Sequence, residues 1–310
     1  MKIFGKKLSG KEQKMLLLRL IFILLSGALL LFFSIYSFAW FSKNSNVTST
    51  GMRLVVSTDT YDVLVERGTT YDSGHEYITE SGKLKSLLAN AGYSLSDTST
   101  ADSTSIAYEL VNEYSFDGHY YLMPGSYGTV SFYIRPKVTN ANVSARFALN
   151  LGGYKSVITQ NENDVDIETM SAVTSESVLN MLRGHILFFT ERTTVGGQYQ
   201  YDGLIDDGTF SYDTNGKTKS TDPGKTDCYK VTLYWEWPIT YDSITDNIST
   251  ASVTKKYPEE LADYLNNHRE YFFAVNVTGN NPEEMIDAYN DGDQTIGDGM
   301  VAFVVYINAQ

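Results

Sequence analysis

From Leu20 to Phe41 the chain runs 22 residues without a charge, and Lys2, Lys6, Lys7, Lys11, Lys14 and Arg19 stand just before that run. An α-helix needs about 20 apolar residues to cross a bilayer. Basic residues on the N-terminal side hold that side in the cytoplasm and send the rest of the chain across. Two readings fit. The run is an uncleaved membrane anchor, or it is a signal peptide with a long basic leader. Ser37 and Ala39 supply the small residues that a signal peptidase needs for a cut before Trp40. Either way residues 1–39 form a signal or transmembrane segment, and residues 40–310 form an extracytoplasmic body. The expected partners are the membrane, through the N-terminal segment, and the signal peptidase.

Without its first 39 residues the chain carries 18 positive and 36 negative charges. A body of that sign repels a phosphate backbone, so nucleic acid is excluded as a partner. The one cysteine, Cys228, rules out an internal disulfide. An exported chain without disulfides fits a Gram-positive bacterium better than a eukaryotic secretory route.

The body reads as mainly β. Aromatics make up 13% of the chain, with 23 Tyr, and sheets favour such side chains. Strands are expected at Met52–Val56, Tyr61–Glu66, Ile106–Val111, Gly128–Arg135, Ser144–Asn150, His185–Thr190, Tyr229–Trp237 and Met300–Ile307. Along Tyr229, Val231, Leu233, Trp235 and Trp237 the bulky residues alternate, which places them on one sheet face. Short amphipathic stripes appear at Leu84–Ala91, Val178–Leu182, Leu261–Leu265 and Met285–Tyr289. None is long enough to stand alone, so each needs a sheet to lie on. Asn281-Pro282-Glu283-Glu284 opens one of them with a cap residue followed by Pro at the first helical position. Residues 191–227 read as a polar insertion punctuated by Gly196-Gly197, Asp206-Asp207-Gly208 and Asn215-Gly216. The expected architecture is one antiparallel β-sandwich with short peripheral helices.

Chemistry is sparse in the sequence. His75, His119, His185 and His268 lie far apart, and His75-Glu76 lacks the second histidine of a zinc helix. There is no Gly-x-Ser-x-Gly elbow and no phosphate-binding loop. Cys228 reads as a strand-edge thiol. The expectation is a non-enzymatic protein with no cofactor. Asp291 and Asp293 in Asp291-Gly292-Asp293-Gln294-Thr295 are weak calcium candidates, since Ile296 and Ala302 stand where a calcium loop places Gly and Glu. Trp235 and Trp237 are a candidate aromatic surface for a glycan, weighed against core packing.

Several segments carry a resemblance. The leader ending in Phe38-Ala39-Trp40-Phe41, followed by Asn46-Val47-Thr48 and Gly51-Met52, resembles the exported TasA/camelysin-type proteins of Gram-positive bacteria, whose signals are cut by the dedicated peptidase SipW. Leu122-Met123-Pro124-Gly125-Ser126-Tyr127-Gly128, Leu233-Tyr234-Trp235-Glu236-Trp237-Pro238 and Ala288-Tyr289-Asn290 with Asp293-Gln294 are similar to segments of their uncharacterised clostridial relatives. The resemblance implies a jelly-roll sandwich at the cell surface and, in some members, a biofilm-matrix fibre. It also implies that the segment freed by cleavage becomes a donor strand for the next subunit. Met52, Leu54 and Val56, on one face of the first strand, would fill a neighbour's groove. Camelysin is described as a metalloprotease, but the missing zinc motif gives no ground for carrying that activity over.

The leading expectation is therefore a non-enzymatic exported surface or matrix protein able to self-associate. The alternatives are a monomeric surface module for a glycan or host ligand and, third, a secreted hydrolase.

Overall fold

Alternation along one strand sets the layering of the body. In the computed structural model Val231, Leu233 and Trp235 are buried on one face of a strand, Tyr229–Glu236, whose Lys230 is exposed on the other. The structure describes residues 2–3, 6–7, 60–65, 94–95, 105–114, 122–160, 166–250, 254–277, 279–298 and 300–310. The signal or transmembrane run, the cleavage residues Ser37, Ala39 and Trp40, the donor residues Met52, Leu54 and Val56, and the helix at Leu84–Ala91 lie outside these. Among the described residues no helix is long and apolar enough to cross a membrane.

The chain divides into residues 1–54 and residues 55–310. In the first unit two short strands, β1 (Lys2–Ile3) and β2 (Lys6–Lys7), pair antiparallel. The second unit is mainly β, with two sheets and a few helices. Its strands are β3 (Tyr61–Val65), β4 (Ser94–Leu95), β5 (Ser105–Glu109), β6 (Tyr127–Pro136), β7 (Ser144–Gln160) and β8 (Asp166–Ala172), followed by β9 (Leu187–Val195), β10 (Gln198–Leu204), β11 (Thr209–Asp213), β12 (Tyr229–Glu236) and β13 (Met300–Ala309). Sheet I runs β10-β9-β12-β6-β3. Sheet II runs β11-β7-β13-β5-β4, with β8 added along β7. All pairings are antiparallel except the two-residue parallel pair β4–β5.

Between the sheets lies the main core. Phe132 of β6, Phe147 of β7 and Phe210 of β11 meet ring to ring, with Phe132–Phe147 centroids at 5.0 Å and Phe147–Phe210 at 5.1 Å. Val231, Leu233, Trp235 and Trp237 join them from β12 and the residue after it, and Phe303, Val305 and Ile307 from β13. Each such side chain contributes about 1.5–3 kcal/mol by leaving water.

The helices are α1 (Glu176–His185), α2 (Tyr241–Thr245), α3 (Glu260–Asn267), α4 (Arg269–Phe272) and α5 (Pro282–Gly297). As expected, Pro282 starts α5, and the Asn281 side chain accepts the Glu283 amide at 3.3 Å. The helices do more than decorate the sheet. Leu187 and Phe189 of β9 and Tyr201 of β10 form a second core with Leu261, Leu265, Phe272 and Tyr289. Tyr234 and Glu236 pair with Phe189 and Leu187 across β12–β9, so this second core covers the face of sheet I that turns away from sheet II.

Two expected outlines change. His185 does not begin a strand. It closes α1, where the Ile186 amide still bonds the Leu182 carbonyl at 2.9 Å, and the strand starts at Leu187. Residues 191–227 are not wholly irregular: they hold the end of β9, all of β10 and all of β11. Both whole strands lie at sheet edges, which accounts for their polarity.

Candidate functional site

Of the two readings of Trp235 and Trp237, core packing holds and the candidate aromatic surface does not, because the side chains are 0% and 1% exposed. Their alternation with Tyr234 and Glu236 turns them into the core between the sheets. The Trp237 ring packs edge-on against Phe303 at 5.6 Å.

Asp291 and Asp293 do not form a calcium loop, since the segment continues as α5 to Gly297. Nor do the described residues contain a group of three or more His, Cys, Asp or Glu side chains placed to hold a metal. Asp293 is committed elsewhere. Its Oδ1 accepts from Trp237 Nε1 at 2.6 Å and lies 2.7 Å from His185 Nδ1. His185 is fully buried, its Nε2 sits 3.2 Å from the Phe272 carbonyl oxygen, and its ring stacks on Tyr289 at 4.1 Å. Gly292 admits this ring, because a Cβ there would stand 2.7 Å from Nε2. A histidine beside a carboxylate is the pairing that orients a catalytic base. Here the second nitrogen is spent on backbone, so the pair ties α1, α4 and α5 to the end of β12.

Cys228 is fully buried. Burial, helped by the neighbouring Asp227 carboxylate, pushes its thiol up to about 11, far from the range of a reactive thiolate.

Two clefts remain. The first, of about 450 Å³, lies among β7, the end of α1, the β10–β11 turn and α3–α4. Leu149, Leu151 and Ile205 give it an apolar wall, and Arg183, Asp206, Asp207 and His268 give it polar groups. The His268 ring stacks on Tyr271 at 4.8 Å, and the Arg183 guanidinium lies 5.8 Å from the Tyr271 ring centre. Tyr264 donates its hydroxyl to the Arg183 carbonyl at 3.2 Å, and burial raises its pKa.

The second cleft, of about 330 Å³, opens over β9–β10 and the segment before α3. Tyr201 and Tyr257 line it. Beside them lies Glu236, only 4% exposed, whose Oε1 accepts from Lys256 Nζ. Burial raises the Glu236 pKa, and Lys256 opposes that rise. Burial also raises the Tyr201 and Tyr257 phenols, and the Glu236 charge adds to it. The Tyr201 and Tyr257 phenols lie close to this carboxylate, and the Arg192 guanidinium lies close to Tyr201. Arg192, also on the wall, reaches Glu113 at 3.2 Å and lies 4.2 Å and 4.8 Å from the Tyr199 and Tyr234 ring centres.

Sequence reasoning passed over Glu236, Tyr201 and Tyr257. The available signal was a single acid interrupting the aromatic stretch Tyr234-Trp235-Glu236-Trp237, on the face opposite both tryptophans. No family model, no curated protein and no solved structure matches the chain.

Proposed function

We propose that the chain is a non-enzymatic exported cell-surface or matrix protein of the TasA/camelysin type, delivered by its basic, apolar N-terminal segment and able to assemble by strand addition. The strand order supports the jelly-roll part of this reading. Strands β5-β13-β7-β11 face β6-β12-β9-β10, the order of an eight-stranded roll. β3 stands outside that roll, at the free edge of β6.

The observation that carries assembly is that sheet I ends on β3, an edge strand of five residues. It pairs with Phe132–Pro136 on one side, and among the described residues no strand pairs with its other side. An uncovered edge is where an added strand gains backbone hydrogen bonds, and head-to-tail addition does not close into a ring. The sequence from Trp40 to Val56 precedes β3 and is long enough to act as the added strand, in which the alternation of Met52, Leu54 and Val56 would put them on one face.

Deleting Trp40–Val56 from the processed protein and imaging by electron microscopy tests this directly. The expected outcome is loss of fibres. Unchanged fibres remove the segment as donor, and an intact protein that stays monomeric at high concentration removes the polymer. That last outcome would favour the second reading, a monomeric module for a glycan. The first cleft speaks for it, with polar groups gathered against an apolar wall in a volume typical of ligand sites.

A further inference from the structure

We infer that the first cleft binds a neutral pyranose ring, an inference that rests on the glycan reading above and gives it a place and a sugar class. Arg183 and Asp206 line this cleft together. Both lie near the Tyr264 phenol and act on its proton with opposite sign. They are not joined to each other. Among the described residues the Arg183 guanidinium hydrogen-bonds to Asn180 Oδ1 alone, at 3.0 Å, and the Asp206 carboxylate has no hydrogen-bond or ion-pair partner. A guanidinium with N–H groups to spare and a carboxylate with free lone pairs suit a ligand that accepts at one atom and donates at the next. Neighbouring sugar hydroxyls do both.

The rest of the cleft fits such a ring. Leu149, Leu151 and Ile205 offer the apolar surface that the C–H face of a pyranose needs. The volume of about 450 Å³ lies within the range of about 300–1,000 Å³ usual for small-molecule sites. Asp207 is already taken, since its Oδ1 accepts the Thr209 amide at 2.7 Å, so Asp206 is the carboxylate that meets the sugar. Charge selects the neutral ligand: the two aspartates repel an acidic sugar, and Arg183 repels an amino sugar.

Calorimetric titration of the purified full chain with the methyl glycosides of glucose, galactose and mannose tests the site, against sorbitol, glucuronic acid and glucosamine. Sorbitol carries hydroxyls without a ring face, and the last two carry the ring with a charge. Saturable binding of one equivalent of at least one neutral glycoside is expected, with the three controls about tenfold weaker or undetected. Arg183→Gln and Asp206→Asn should each weaken binding about tenfold, the loss expected for one hydrogen bond to a charged group. Asp206 is exposed, so its variant keeps the fold and decides alone should Arg183→Gln fail to fold. Any control binding as tightly as the glycosides would overturn the inference. A chain retained by a glycan array that saturates with none of the three glycosides, or whose Asp206→Asn variant binds like the parent, loses the cleft and keeps the glycan reading. A chain with neither retention nor saturation loses both.

Discussion

Glu236 sits where a carboxylate is least at home, buried on a sheet face with Lys256 on one of its oxygens and the Tyr201 and Tyr257 phenols beside it. Burial raises its pKa in the folded protein above the ordinary carboxylate value. Between those two values the folded chain binds more protons than the unfolded one, so this residue's contribution to stability falls as pH rises through that window. Below the ordinary value the contribution is fully present. The parent chain should therefore gain stability relative to Glu236→Gln as pH is lowered from neutral into the carboxylate range, and the difference should then level off. Urea unfolding of both chains across that range measures it, and a difference independent of pH would contradict it. Residues of this kind were poorly legible in the sequence. Asp293 stood out for its acidic neighbours, yet its partners His185 and Trp237 are far away along the chain and only the fold brings them together.

At the scale of elements, local pattern carried further. The alternation of β6 and β12 predicts their ends to within a residue, because a strand's period is visible in its own few residues. β7 is longer than expected, continuing from Asn150 to Gln160 through Gly152-Gly153. Those glycines make room for the Tyr306 ring and the Met300 sulfur of β13. What extends β7 is its neighbours, β13 and then β8, and neighbours leave no mark in a strand's own pattern. Helix contacts are equally hidden. Gly184 in α1 faces the backbone of α4, and a Cβ there would stand 2.2 Å from the Tyr271 carbonyl oxygen. Backbone cannot swing aside as a side chain can. Gly184→Ala should cost about 1–3 kcal/mol, the usual penalty of overpacking, read as a lower urea midpoint with an unchanged slope.

Across the whole body, one strand serves two cores. Phe188 of β9 belongs to the cluster between the sheets, and Phe189, its neighbour, to the cluster under the helices. Melting either cluster removes support from the other, so residues 55–310 should unfold in one transition. Tryptophan fluorescence reports the first cluster through Trp235 and Trp237, and far-ultraviolet dichroism near 222 nm reports the helices. Coincident curves are expected, and two separated midpoints would show the clusters melting apart. The place of β13 in sheet II has a consequence in time. It lies between β5 and β7, and it is made long after both. During synthesis β5 and β7 wait side by side without the strand that joins them, and the nascent chain cannot close its sandwich. A polypeptide in that state is still loose enough to be threaded, and it shuts only when β13 arrives.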